Sequence, residues 1–243
     1  MVGDRPAQCP AGRRLYAIGD IHGRLDLLNS LYASIEAEIA AAPHLDHQII
    51  LLGDYIDRGP DSAGVLDWLL DKQRSGAPMT PLIGNHEDSM IRFLDDLSVG
   101  PGWLYYGGRE TLESYGITAG TDRHSTDALR RLQAQLRERL PPLHLDLLCA
   151  LKPVHVDGDY LFAHAGVRPN VPIESQSRDD LLWIRDEFLG STRDHGKVVI
   201  HGHTISQAPE LRRNRIGIDT GAFATDILTC VVLEGATQRF LQT

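Results

Sequence analysis

From Arg14 onward, apolar and polar positions repeat in a strand, loop and helix rhythm. Residues 14–18 read as a short strand, and Leu27, Leu28, Leu31, Ile35 and Ile39 mark one apolar face of a helix over 25–42. Gln48-Ile49-Ile50-Leu51-Leu52 is a continuous run, as a strand buried on both faces requires. A second helix is predicted after Pro60-Asp61-Ser62, and a strand over 80–83 leads into Asn85. Strands and helices alternating at this spacing predict an α/β layered fold. The middle differs: 87–97 and 126–140 are helical by pattern and rich in charge, and a Gly and aromatic segment, 100–120, lies between them. Strands return at 154–156, 160–163, 198–201, 215–218 and 227–233. The expected organisation is a flexible tail over 1–12 and a single domain over 13–243. A small helical lobe, about 88–150, is inserted over one edge of the sheet.

With 243 residues, 42% hydrophobic and 23% charged, the chain has room for one sizeable core plus such a lobe. A net charge of −9 argues against a broad nucleic-acid surface, which needs clustered Lys and Arg. Cys9, Cys149 and Cys230 lie far apart without metal-ligand spacing, and no signal-peptide core or membrane-length apolar run is present. These features point to a cytoplasmic protein without nucleic-acid or membrane partners. They leave the oligomeric state open.

Five polar islands carry the chemistry: Gly19-Asp20-Ile21-His22-Gly23, Gly53-Asp54-Tyr55-Ile56-Asp57-Arg58-Gly59, Gly84-Asn85-His86-Glu87, His164-Ala165-Gly166 and Gly202-His203-Thr204. In four of them an apolar strand runs straight into the cluster, which hangs the polar residues from carboxyl strand ends, where α/β sheets build sites. Asp20 and His22 are two apart and point the same way in extended chain. A bare carboxylate such as Asp54 at a buried strand end is costly unless paired or bound to a cation. Each island has an ordinary structural reading, Asn85 as a helix cap for example. Together they supply oxygen and imidazole donors suited to two neighbouring divalent cations.

The islands resemble the calcineurin-like metallophosphoesterases. More narrowly, they resemble the phosphoprotein-phosphatase branch with its bacterial and phage-lambda serine/threonine phosphatases. The resemblance runs from about Tyr16 to Ala222 and implies a central β-sandwich flanked by helices. Carried over, it gives Asp20 and His22 to a first metal, Asp54 as the bridge, and Asn85, His164 and His203 to a second. Manganese is the expected metal, with iron, zinc or cobalt as alternatives. Thr204 and Ile205 follow His203, so the second His of the Gly-His-x-His form found in wider relatives is missing, and His201 reads as structural. Bacterial diadenosine tetraphosphatases usually lack the Asp of the second island's Asp-Arg pair; here Asp57 is kept.

Two dications against Asp20 and Asp54 leave excess positive charge even with a bridging hydroxide, which suits a phosphate dianion. Metals about 3.5–4 Å apart can lower the pKa of a shared water for direct in-line attack. His86, next to the ligand Asn85, is left to protonate the leaving oxygen, with Asp57 orienting it. Arg58 is a fork for phosphate oxygens, and Arg185 corresponds in spacing to a second phosphate-binding arginine of lambda-type members. Arg109 is read as a cation reaching substrate beyond its phosphoryl group. His44, His47, His124, His144, His155 and His195 are taken as surface or local structural residues, and Asp219 is assigned to packing and hydrogen bonding. The expected function is a dinuclear-metal phosphomonoesterase acting on phosphoserine or phosphothreonine in proteins, or on small phosphorylated substrates. The alternatives are dinucleoside polyphosphate hydrolysis on the same fold and a non-catalytic metal-binding module.

Overall fold

The computed structural model describes residues 2–3, 5–120 and 124–243. The first half runs β1 (Arg13–Ile18), α1 (Leu25–Ala41), β2 (Asp46–Leu51), α2 (Ser62–Arg74) and β3 (Met79–Pro81). The lobe follows as α3 (Asn85–Phe93), α4 (Gly100–Trp103), α5 (Arg109–Ser114), α6 (Thr126–Arg139) and α7 (Pro142–Ala150). The second half is β4 (Val154–Asp157), β5 (Tyr160–Ala163), α8 (Arg178–Trp183), α9 (Asp186–Leu189), β6 (Val198–His201), β7 (Glu210–Leu211), β8 (Arg215–Gly217), α10 (Ala222–Thr225), β9 (Thr229–Glu234) and β10 (Thr237–Gln242).

The strands form two five-stranded sheets, in the orders β10-β9-β1-β2-β3 and β4-β5-β6-β8-β7. β1, β2 and β3 are parallel, as are β5, β6 and β8, while β9, β10, β4 and β7 pair antiparallel at the flanks. Strand periodicity divides the core. Leu15, Ala17, Ile50 and Leu52 meet Tyr160, Phe162, Ile200 and Ile218 in one buried cluster, while Tyr16, Ile18, Ile49 and Leu51 face Leu28, Leu31, Val65 and Leu69 of the helices. This is the expected sandwich with helices outside. Both faces of β1 and β2 are covered, which is why their sequences read as unbroken apolar runs.

The segment 100–120 is mostly helical, broken at Gly107, whose φ is 117°. Its Trp103, Leu104 and Leu112 join Phe93, Leu129 and Leu148 in the cluster that also holds Tyr16 and Ile18, so lobe and sheet share one apolar core. At the N-terminal segment read as a tail, Ala7 and Cys9 lie in the inner cluster; residues 1 and 4 fall outside the described set. Helix α7 and strands β7 and β10 carry no clear pattern of their own. β10 alternates partly buried and exposed positions at a sheet edge, and its pairing with β9 makes it a strand. No described helix is long and apolar enough to cross a membrane.

Candidate metal centre

The loops after β1, β2, β3, β5 and β6 converge at one end of the sandwich. Within each sheet this follows from parallel pairing, which sets the carboxyl ends of β1, β2 and β3, and of β5 and β6, on one side. Asp54 sits at the centre, 2% exposed. His164 Nε2 lies 3.4 Å from its Oδ1, and His22 Nε2 and His86 Nε2 lie 3.6 and 3.8 Å from its Oδ2. Two buried groups result, His22-Asp54-His86 and Asp54-His164-His203, each with donor atoms close enough to share one ion. Asn85 Oδ1 is 2.8 Å from His164 Nε2, and the Asp20 carboxylate accepts the His203 backbone N–H at 3.0 Å. All six expected ligands are thus gathered, together with His86, which the sequence had assigned to proton transfer.

Hydrogen bonding shows what these atoms lack. His22 Nδ1 is 2.8 Å from the Ile56 carbonyl and His164 Nδ1 is 3.0 Å from that of Leu52. Each Nδ1 therefore carries the hydrogen, and each Nε2 presents a lone pair. For His164 that lone pair faces the Asn85 and Asp54 oxygens, an acceptor against acceptors. His22 Nε2 and His203 Nε2 are buried with no hydrogen-bond partner at all. Burial holds His22 and His164 below the ordinary imidazole value and pushes His203 down to about 2, so the rings are neutral and able to act as donors. Orphaned lone pairs and carboxylate oxygens aimed at one another fit small divalent cations. Burial works against the charge on Asp54, which four imidazoles surround.

The backbone is bent to make this arrangement. His22, Asp54, Asp57, Arg58 and His203 all adopt left-handed φ, at 47°, 52°, 71°, 68° and 64°. Such conformations cost non-glycine residues on the order of 1–3 kcal/mol each, and they persist where the surroundings over-determine them. Glu87 is one such restraint. Its buried carboxylate accepts backbone N–H groups of Gly84, Asp54 and Tyr55 at 2.9, 2.9 and 2.8 Å, tying the second and third islands together. Gly84 must be glycine, since a Cβ there would strike the Asp54 carboxylate.

Beside this cluster, His86 Nδ1 lies 2.6 Å from Asp57 Oδ2, with both side chains buried. Burial works against a charged imidazole, but Asp54 and Asp57 outweigh it and raise His86 above the ordinary value. Arg58 Nη2 stands 3.3 Å from His86 Nε2, and its guanidinium lies over Phe223 at 4.7 Å. Arg185 lies between α8 and α9, not on a helix face, and its Nη1 donates to Thr204 Oγ1 at 3.1 Å, next to His203. Arg109 turns away into the lobe, where its Nη1 donates to the Ala119 carbonyl at 3.3 Å.

Two residues carry more than the sequence suggested. Glu87 was legible only as the last letter of an island. Asp219, assigned to packing, has Oδ1 on the Gly221 N–H at 2.9 Å but leaves Oδ2 buried without a partner. Gly19 backs onto the Ile218 carbonyl, which sets Asp219 beside Asp20. Burial, followed by the Asp219 and Asp54 charges, raises Asp20 well above the carboxylate range. A strand-end Asp before Thr-Gly was the available signal. Of the histidines outside the islands, His144 is buried between Tyr115 Oη at 2.8 Å and Asp67 at 3.0 Å, a structural placement.

Comparison with known proteins gives the family. The asymmetrical bis(5'-nucleosyl)-tetraphosphatase of Oceanobacillus iheyensis is 25% identical over 237 residues, covering 87% of this chain and 85% of that protein. Serine/threonine-protein phosphatase 2 of Salmonella typhimurium is 27% identical over 230 residues, covering 89% and 91%. A crystal structure described as a candidate diadenosine tetraphosphatase superposes with a TM-score of 0.64 at 18% identity, covering 97% and 98% of the two chains, which supports the fold. The calcineurin-like phosphoesterase family profile matches residues 13–217. The chain belongs to the calcineurin-like phosphoesterase family and is a hydrolase of that family.

Proposed function

We propose that the chain is a dinuclear-metal phosphomonoesterase that releases phosphate from phosphoserine or phosphothreonine. Asp20 would join His22 and Asp54, which stand close together with His86, in holding one divalent ion, and Asp54, Asn85, His164 and His203 would hold the other, with manganese suited to these donors. Ions bound there would supply the charge that acidifies an attacking water and offsets the phosphoryl oxygens. Arg58, beside His86, and Arg185, beside Thr204, would orient the phosphate by forked contacts. His86, held at Nδ1 by Asp57, presents Nε2 to the leaving oxygen and gives it a proton.

The observation that carries this reading is the 2.6 Å His86–Asp57 contact. A serine-type alkoxide leaves poorly without a proton, whereas a nucleotide leaving from a polyphosphate is already a stable anion. A buried imidazole braced by a carboxylate is therefore a device for alcohol leaving groups. A second reading, dinucleoside polyphosphate hydrolysis, is favoured by a cleft of about 330 Å³ beside His86 and Asn85, flanked by the exposed rings of Trp183 and Tyr106, which offer faces for a base. Phosphoserine and phosphothreonine peptides assayed beside diadenosine tetraphosphate, with the manganese-loaded protein, decide between the two. A kcat/KM at least tenfold higher for peptides is expected, about 1.4 kcal/mol of preference. The reverse order would move the assignment to the nucleotide.

A further inference from the structure

Asp57 is fully buried, and its carboxylate is occupied by more than His86. Trp103 Nε1 donates to Oδ2 at 3.0 Å and to Oδ1 at 3.2 Å. Thr111 Oγ1 donates to Oδ1 at 2.5 Å and accepts the Asp57 backbone N–H at 2.9 Å. Ser62 Oγ lies 3.0 Å from both that N–H and Thr111 Oγ1, which closes the network. Both donors to the carboxylate come from the lobe, 46 and 54 positions along the chain. The lobe also seats the neighbouring corner: the Gly107 and Tyr106 carbonyls accept the Arg58 N–H and Nε–H at 3.1 and 3.3 Å. The approach is so close that a Cβ on Gly107 would lie 2.6 Å from Arg58 Cγ.

We propose that Trp103 and Thr111 are positioning residues for proton transfer: they lock the Asp57 carboxylate in the one orientation that holds His86 Nδ1 and aims Nε2 at the leaving oxygen. This deepens the proposed function and rests on His86 being the proton donor. The torsion that turns a carboxylate is broad and weakly restrained, so a single partner would leave Asp57 free to swing. Donors at both oxygens remove that freedom, and burial makes each expensive to lose. Trp103 is itself immobilised, 3% exposed and packed at 5.1 Å against Phe93. The inserted lobe thereby completes the acid in addition to flanking the cleft.

Trp103→Phe removes the N–H and keeps the ring packing, Thr111→Val removes the hydroxyl at constant shape, and Thr111→Ser restores it. Each is compared with His86→Asn on an alkyl phosphate and on 2,4-dinitrophenyl phosphate, whose phenolate leaves unprotonated. General-acid help is typically worth about 10²–10⁴-fold, so Trp103→Phe and Thr111→Val should lose roughly tenfold on the alkyl ester and under about threefold on the dinitrophenyl ester. Thr111→Ser should behave like the unaltered protein, and metal content should not change in any of the three. The downfield proton resonance of His86 Nδ1–H should shift in Trp103→Phe and Thr111→Val and return in Thr111→Ser. Equal losses on both esters in the two lobe variants, with His86→Asn still separating them, would overturn this inference alone. If His86→Asn fails to separate the esters, the acid itself is wrong and the inference falls with it. Should Thr111→Val not fold, Trp103→Phe carries the same comparison.

Discussion

His86 and Asp57 face each other at 2.6 Å with both side chains buried, and His86 Nε2 is also 3.3 Å from Arg58. Imidazole and guanidinium therefore meet at one point, where the proposed function puts the phosphoryl group and its leaving oxygen. His86→Asn should retain bound metal, because Asn cannot replace the proton donor but leaves Asp20, His22, Asp54, Asn85, His164 and His203 untouched. Turnover of alkyl phosphates should fall by about 10²–10⁴-fold while activated aryl phosphates lose far less. Parallel kcat measurements with elemental analysis read this directly. A loss of metal, or equal losses on both esters, would count against the role.

Metal removal should abolish activity. Protein stripped by a chelator should show no turnover and recover it with manganese, since the cluster offers only oxygen and nitrogen donors around Asp54. Asp54→Asn should cost the most of any single ligand change, because Asp54 belongs to both groups. Full turnover by protein shown by elemental analysis to be metal-free would contradict the dinuclear reading.

Metal affinity should depend on pH in a definite direction. In metal-free protein, burial pushes the Asp219 carboxyl up to about 6 and raises Asp20 well above the usual range. A cation favours the deprotonated forms, so binding must release protons wherever these raised carboxyls are still protonated. Affinity should weaken as pH falls through about 6, where Asp219 takes up its proton. The ligand imidazoles add little, since His203 is already neutral above about 2. Titration calorimetry in buffers of different ionisation heat should detect released protons near pH 5.5 and fewer near pH 8. Affinity that does not change between those conditions would be the contrary result.

Arg58→Ala and Arg185→Ala should each raise KM and weaken inhibition by free phosphate. Loss of a charged hydrogen-bonding group of this kind costs about 1.5–3 kcal/mol, or roughly 10- to 150-fold. Lysine at either position should recover only part of the loss, because its point charge cannot form the planar fork. Unchanged phosphate inhibition in Arg185→Ala would restrict that residue to its bond with Thr204.

Glu87→Gln tests the restraint beneath the site. Gln presents one carbonyl oxygen where the carboxylate takes N–H groups on both, and its amide would oppose an N–H. Leaving a buried donor unpaired should destabilise the fold by about 1–3 kcal/mol, read as a lower melting midpoint.

The chemistry was legible in the sequence because donor type belongs to the side chain: Asp20, His22, Asp54, Asn85, His164 and His203 carry their lone pairs wherever the chain goes. The sandwich was legible in outline because β1, β2, β5 and β6 are apolar enough to be strands in almost any context. Local pattern failed where an element depends on its neighbour. β10 is a strand because β9 pairs with it, and α7 presents few periodic positions of its own. The orphaned oxygen of Asp219, the grip of Glu87 on the second island, and the bonds from Trp103 and Thr111 to Asp57 were decided by tertiary structure alone. Each joins groups brought together only when the sheets pack and the lobe closes on them, and whether a buried polar atom finds a partner is set by that packing.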